Sequence, residues 1–422
     1  MTQMKVELQH AQGVVRGVEA AGVQAFHAVP YAAPPVADLR WRPPVPRPLA
    51  GEQDATQPGP IPPQRPSRLS AAMGDIHQAQ SEDSLHLTVW RPAQVQAPLP
   101  VVVWLHGGAW QSGGVLPWYD GSLLARTLNA VVVGVNYRLA ALGWLYVRGE
   151  TANVGLLDQE EAIRWVGEHI AVFGGDPKRI TLMGQSAGAN NIACMLTRSR
   201  IADRIILQSA GMGRGIRTAE QAERLADAYF RALGVDHLDA ARALPVEKLL
   251  AAQADAGLAA VLQAEGSARN LFAPVADGEV LALDVEARFA TAATQADALV
   301  GYTAEEMRSF PGAPSGEAGL ALGDAVFGVE SRRWAAHAVT AGRRAWLYDF
   351  QCAPSAAFGA CHCIELPFLF GTWRAFAAAP MLNGLAPADA ERLTRRLQSV
   401  WGEFIGAGSV PWPMAPFVEP IL

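Results

Sequence analysis

Short uninterrupted apolar runs alternate along this chain with longer stretches in which apolar positions recur at helical spacing. The runs are Leu85–Trp90, Val101–Leu105, Val131–Val135, Ile180–Met183, Ile205–Leu207, Ala298–Val300 and Trp346–Phe350. They are too short for core helices and carry many β-branched residues, so they predict strands buried on both faces. Over Leu156–Phe173, the residues Leu156, Ala162, Ile163, Val166 and Ile170 share one helical face. The alanine-rich stretch Thr218–Ala287 reads as helical and is expected to sit over one end of the sheet. Buried strands separated by helices predict an α/β class, with a mostly parallel central sheet and helices on both faces. The proline-rich stretch Pro30–Pro66 is punctuated by Tyr31, Leu39, Trp41 and Ile61, which predicts an ordered loop lying on the body of the protein. No repeat or charge block divides the chain, so residues 1–422 are expected to form a single domain despite their length.

Composition narrows the partners. Half the residues are hydrophobic and 18% are charged, which excludes disorder. The net charge of −6 is spread out, and the absence of a basic stripe excludes nucleic acid as a partner. The longest apolar runs are too short to cross a bilayer, and Met1–Lys5 lacks the apolar core of a signal peptide. Cys194, Cys352, Cys361 and Cys363 form neither a disulfide framework nor a paired Cys-x-x-Cys zinc motif. Together these features imply a protein of the cytoplasm that binds neither nucleic acid nor membrane; the oligomeric state is left open.

The chemistry centres on Gly184-Gln185-Ser186-Ala187-Gly188. The run Ile180–Met183 precedes it and a small-residue helical pattern, Ala189–Leu196, follows. Strand, sharp turn and helix are the context in which G-x-S-x-G works as a nucleophile elbow. A serine hydroxyl is a poor nucleophile near neutral pH and needs a base, an orienting acid and an oxyanion hole. The run Val101–Leu105 leads into His106-Gly107-Gly108-Ala109-Trp110, a glycine turn able to aim backbone N–H groups at an oxyanion.

Further ordered motifs accompany these two. They are Phe26-His27-Ala28-Val29-Pro30-Tyr31-Ala32, Ser81-Glu82-Asp83-Ser84-Leu85-His86-Leu87, Tyr119-Asp120-Gly121, Asn136-Tyr137-Arg138, Asn153–Gln159 and Phe173-Gly174-Gly175-Asp176-Pro177. In this order they make the chain resemble, over most of its length, the type-B carboxylesterase family of α/β hydrolases, closest in pattern to its bacterial para-nitrobenzyl esterases. The resemblance implies Ser186 as nucleophile and the N–H groups of Gly108, Ala109 and Ala187 as oxyanion hole. It places the acid on Glu306, in Gly301-Tyr302-Thr303-Ala304-Glu305-Glu306-Met307, with the adjacent Glu305 as the alternative. It places the base on His362, just before Glu365-Leu366-Pro367-Phe368-Leu369-Phe370-Gly371.

Four departures qualify the resemblance. Gln185 stands where the family usually has glutamate, which weakens any preference for cationic substrates. Met307 replaces the glycine closing the acid motif. Pro62 and Ser84 occupy the positions of a cysteine pair that often bridges in the family. The segment from Glu306 to His362 is short, which implies a more open site, and the loop Arg65–Gln80 has no tryptophan to receive a quaternary ammonium.

Simpler roles compete for several residues. In an extended Cys361-His362-Cys363 segment the cysteines would face one way and the histidine the other, which favours packing over metal binding. His106 reads as scaffold, His86 as a strand residue and Asp277 as a turn residue, while Glu82, Arg138 and Asp158 read as structural ion pairs. Trp110, Trp118, Phe272 and Phe368 are candidates to line the acyl or alcohol pocket.

The resulting expectation is a serine carboxylesterase acting on small, uncharged, moderately hydrophobic esters through an acyl-enzyme. Neither a metal nor an organic cofactor is required. A histidine base implies hydrolysis that rises with pH through the imidazole range of about 6.5. Amides, carbamates or thioesters are the alternative substrates, and a non-catalytic hydrolase-fold binding protein is the reading from another class.

Overall fold

The structure, a computed structural model, describes residues 4–75, 77–265 and 270–422. The helical stretch expected over 218–287 and the loop expected over 65–80 are therefore described except for 266–269 and 76.

The predicted strands are present, and more strands flank them. In chain order they are β1 (Met4–His10), β2 (Gly13–Ala20), β3 (Val23–Pro30), β4 (Gly51–Asp54), β5 (His86–Pro92), β6 (Leu99–Leu105) and β7 (Val131–Val135). There follow β8 (Gly175–Gln185), β9 (Arg204–Gln208), β10 (Arg217–Thr218), β11 (Val275–Ala276), β12 (Asp297–Thr303), β13 (Ala345–Phe350) and β14 (Val418–Ile421). Among the described residues, twelve join one sheet in the order β1-β2-β3-β5-β7-β6-β8-β9-β12-β13-β14, with β4 beside β2. From β7 to β14 all pairings are parallel; β1, β2, β3 and β5 add an antiparallel edge.

The buried runs work because both faces are covered. Successive side chains of a strand point to opposite faces. Val101, Val103 and Leu105 enter one core with Val131, Val133, Leu182, Ile205 and Leu207. Val102, Trp104, Val132, Met183 and Ile206 enter the other. The helices Val154–His169 and Ala187–Leu196 cover the first face through Leu156, Val166, Ile192 and Met195. The helices Ser122–Leu128 and Pro387–Ala407 cover the second through Leu124, Leu397, Trp401 and Phe404. Each aliphatic side chain buried this way contributes about 1.5–3 kcal/mol, so a polar substitution of Val101–Leu105 in β6 or of Leu182 and Met183 in β8 is disfavoured.

The alanine-rich segment forms the helices Ala219–Leu233, Leu238–Arg242, Val246–Ala252, Ala256–Ala264 and Val285–Ala292. The short β10–β11 pair joins the strand before its first helix to the stretch between its fourth and fifth. Within Pro30–Pro66, Tyr31, Trp41 and Ile61 are buried, and the Tyr31 hydroxyl donates to the Asn136 carbonyl at 2.7 Å. The four cysteines are unbonded. Among the described residues no helix is long and apolar enough to cross a membrane.

Candidate active site

Four loops converge at the carboxyl edge of the parallel strands, the edge at which open α/β sheets place their ligands. At the end of β8 the chain turns so sharply that Ser186 takes φ 53° and ψ −118° while capping the helix Ala187–Leu196. A non-glycine residue with such angles stores about 1–3 kcal/mol of strain. The turn holds because Ser186 N–H donates to the Gln208 carbonyl at 2.8 Å, and the Ser186 carbonyl accepts from Asn190 N–H at 3.0 Å. Gly188 is required sterically, since a Cβ there would lie 2.0 Å from the Leu105 carbonyl oxygen.

The loop after β6 is as tightly folded. Gly108 has φ +106°, and a Cβ on it would lie 1.9 Å from the Ser112 carbonyl oxygen. Ala109 and Trp110 are also left-handed, at φ 58° and 62°. His106 braces this turn: its ring stacks on Tyr137 at 4.3 Å, its Nδ1–H donates to the Gly107 carbonyl at 2.8 Å, and its own carbonyl accepts the Tyr137 hydroxyl at 2.7 Å. Burial pushes the His106 pKa down to about 4, so the ring is neutral scaffold, as expected from the sequence. Among the described residues the N–H groups of Gly108, Ala109 and Ala187 have no acceptor.

Beyond β12, Glu306 turns inward. Its Oε1 accepts from Thr303 N–H at 2.9 Å, and its Oε2 lies 2.5 Å from His362 Nδ1. The His362 N–H donates to the Glu306 carbonyl at 3.3 Å, so the two residues are joined by backbone as well as side chain. Both are almost fully buried, with exposures of 2% for Glu306 and 1% for His362. Glu305 is engaged elsewhere, accepting from Arg308 at 2.7 Å and from Ala360 N–H at 2.9 Å. The rings of Phe310 and Phe327 pack on the imidazole at 5.1 and 4.9 Å.

The second imidazole nitrogen faces Gln185. Gln185 Nε2 donates to His362 Nε2 at 3.1 Å and also approaches Cys363 Sγ at 3.2 Å. With Nδ1–H directed at Glu306, Nε2 is left as an acceptor, the tautomer a general base requires. No hydrogen bond joins Ser186 Oγ to His362 among the described residues. Such contacts are often long before substrate arrives.

Below the imidazole, Glu365 is buried among Gln208, Tyr348 and Cys363. Burial, and secondarily the charge of Glu306, pushes its pKa up to about 8. It is therefore neutral at pH 7. Its Oε1 accepts from Gln208 Nε2 at 3.3 Å.

Ser186 and His362 open into a cleft of about 1140 Å³, mouth included, walled by Gly107–Ala109, Leu69, Met73, Trp118, Tyr119 and Phe310. A narrow recess beside it is lined by Ser186, Ala187, Trp110, Phe310 and Phe327. Of the four aromatic candidates, Trp118 reaches the cleft and Trp110 the recess. Phe272 and Phe368 reach neither. Phe272 packs edge-on against Tyr229 at 5.4 Å, and Phe368 sits 6.1 Å from Phe350 in the core below the sheet edge. Phe368 is turned there by the short helix Leu366–Leu369.

One other expectation changes. Cys361-His362-Cys363 is a turn rather than an extended segment: Cys363 has φ 75°, and Ile364 N–H donates back to the Cys361 carbonyl at 3.1 Å. Cys363 consequently lines the cleft beside the histidine instead of facing away from it. The expected structural ion pairs are present: Arg138 with Asp158, at 2.6 and 2.8 Å, and Glu82 with Arg40, at 2.6 Å. Asp277 caps its own turn, accepting from Leu281 N–H at 2.7 Å. Sequence reading passed over Phe310 and Phe327. Phe310 follows Glu306 by one helical turn, a spacing that marks it as a neighbour of the acid.

A family model described as "Carboxylesterase family" matches residues 3–315. The chain belongs to this family. A probable N-octanoylanthranilate hydrolase of Rhodococcus erythropolis is 38% identical over 97% of this carboxylesterase and 94% of the relative. The para-nitrobenzyl esterase of Bacillus subtilis (strain 168) is 32% identical over 98% of this chain and 93% of its own. A solved thermophilic PNB esterase superposes with a TM-score of 0.86 at 30% identity, covering 97% of this chain and 93% of that one. This carboxylesterase thus has the α/β-hydrolase fold and is a carboxylic ester hydrolase whose substrates are small molecules.

Proposed function

We propose that Ser186 is the nucleophile, His362 the general base and Glu306 the acid that orients it, with the N–H groups of Gly108, Ala109 and Ala187 as oxyanion hole. The observation that carries this reading is the buried 2.5 Å contact between His362 Nδ1 and Glu306 Oε2, which leaves Nε2 free of a proton at the cleft that Ser186 lines. Substrate entry moves the imidazole acceptor from the Gln185 amide to the Ser186 hydroxyl. His362 takes the serine proton as Oγ attacks the carbonyl carbon, and Glu306 stabilises the imidazolium. The oxyanion is met by the three N–H groups. Loss of one such donor typically lowers turnover by about 10²–10³. His362 then gives its proton to the departing alcohol, and water repeats the sequence on the acyl-enzyme.

The four unbonded, mostly buried thiols support a cytoplasmic location, and the shared sheet supports one hydrolase unit spanning residues 1–422, with 218–287 as its helical flank. The relative named for an N-octanoyl substrate supports a second reading, cleavage of N-acyl bonds by the same groups. Matched ester and amide substrates separate the two. The assignment is tested by labelling with a diethyl aryl phosphate and mapping the adduct by peptide mass. A phosphoryl group on the peptide containing Ser186 is expected; an adduct elsewhere, or none on folded protein, refutes the assignment.

A further inference from the structure

Two arginines that the hydrolytic steps do not use stand beside the nucleophile. Arg68 lines both the cleft and the recess, and Arg214 lines the recess. Their guanidinium carbons lie 5.1 and 5.3 Å from the Phe310 ring centre, and Arg214 is also 5.6 Å from that of Phe327. These are the rings packed on His362, so both cations are held against the wall that positions the imidazole. The surrounding walls, and secondarily Arg214, push the pKa of Arg68 down to about 10; burial lowers that of Arg214 as well. Both remain protonated at neutral pH. Two like charges brought together in this way repel one another.

The protein supplies little to offset Arg68. Among the described residues its side chain has no ion pair or hydrogen bond, and the residue is exposed at the cleft. Among the described residues that line the cleft or act on these arginines, the carboxylates are Glu306, already engaged by His362, and Asp75, which lines the outer cleft but not the recess. The recess is also lined by Asn190 and Asn270, whose amide side chains make it polar and whose oxygens are buried without a hydrogen-bond partner among the described residues. A purely apolar acyl slot would contain none of these groups. An arginine fork matches the geometry of a carboxylate, and an anion placed here would relieve the repulsion between the two cations.

We propose that this esterase favours esters that carry a carboxylate a few bonds from the scissile linkage, held by Arg68 and Arg214 while Ser186 attacks. Neutral esters remain substrates. The proposal rests on the reading of Ser186 as nucleophile. Gln185 fits it, because this uncharged side chain lines the same cleft and places no negative charge next to the bound anion.

The test uses two matched pairs of esters. The mono-4-nitrophenyl ester of adipic acid and its methyl-capped counterpart place the charge on the acyl side. 4-Acetoxybenzoate and its methyl ester place it on the alcohol side. In at least one pair the acid should show a kcat/KM about tenfold above the neutral partner at low salt, the scale of one charge-assisted hydrogen bond. That preference should shrink as salt rises. The ratio should fall about tenfold in Arg68→Gln and in Arg214→Gln, fall further in Arg68→Glu, and largely survive in Arg68→Lys. A ratio of one or less in both pairs, or ratios unmoved by both glutamine variants, overturns the proposal while leaving the serine assignment intact. Folded wild type that cleaves neither member of either pair and takes no label at Ser186 overturns the assignment, and the proposal with it.

Discussion

Replacing Glu365 by glutamine probes the buried floor of the site through stability rather than rate. The unfolded chain releases this proton near the ordinary carboxyl value of 4.5, whereas the folded protein keeps it until about pH 8. Between those limits the unfolded state binds fewer protons, so each unit of rising pH favours unfolding by about 1.4 kcal/mol. Below the window the group is neutral in both states and has no effect; above it the penalty is complete and constant. From pH 5 to pH 8, wild type should therefore lose about 4 kcal/mol that Glu365→Gln keeps. For a chain of this length that is about 4–5 °C in Tm. The assay is thermal unfolding of both proteins in matched buffers at pH 5, 6, 7, 8 and 9, followed by circular dichroism. The difference in Tm should grow in favour of the variant up to about pH 8 and then level off. Parallel curves across the series would refute the assignment of a neutral, buried Glu365.

Two further substitutions address the rate. Glu306→Gln should lower kcat by about 10⁴, as loss of the orienting carboxylate does in serine hydrolases generally, whereas Glu305→Gln should stay within about tenfold of wild type; equal losses would contradict the pairing seen here. Gln185→Glu puts a negative charge beside His362 Nε2, stabilises the imidazolium, and should move the acid limb of the kcat/KM profile upward by about one pH unit. An unmoved limb would show that Gln185 does not touch the base.

The parallel half of the sheet is legible in the sequence because its strands are buried on both faces and so read as continuous apolar runs. The antiparallel edge is not. Met4–His10 alternates exposed with half-buried residues, Gly13–Ala20 mixes glycine, charge and valine, and Val23–Pro30 mixes apolar residues with glutamine and histidine, so neither kind of signal stands out. The β2–β3 hairpin turns at Ala21 and Gly22, with φ 51° and 76°, and that glycine is the local mark of it in the sequence. Ser186 and the glycine loop stand out because sharp turns demand glycines at fixed spacing, whereas His362 is indicated only by the resemblance carried by the Glu365–Gly371 motif that follows it. The choice between Glu305 and Glu306 is not legible, because it depends on which carboxylate the turn after β12 aims inward. Phe272 and Phe368 show the limit of reading aromatic residues as pocket walls: their side chains turn into the core, and no local pattern encodes that direction. Arg68 lies in an aperiodic, proline-bordered loop, so its arrival beside Arg214 is visible only once the chain is folded.

The central claim is tested most directly by following hydrolysis of para-nitrophenyl acetate and butyrate with wild type and Ser186→Ala side by side. The serine account predicts steady turnover by wild type and a loss of about 10⁶ in the variant, the scale on which a serine nucleophile contributes. A folded variant that retains activity within about tenfold of wild type would contradict Ser186 as the nucleophile.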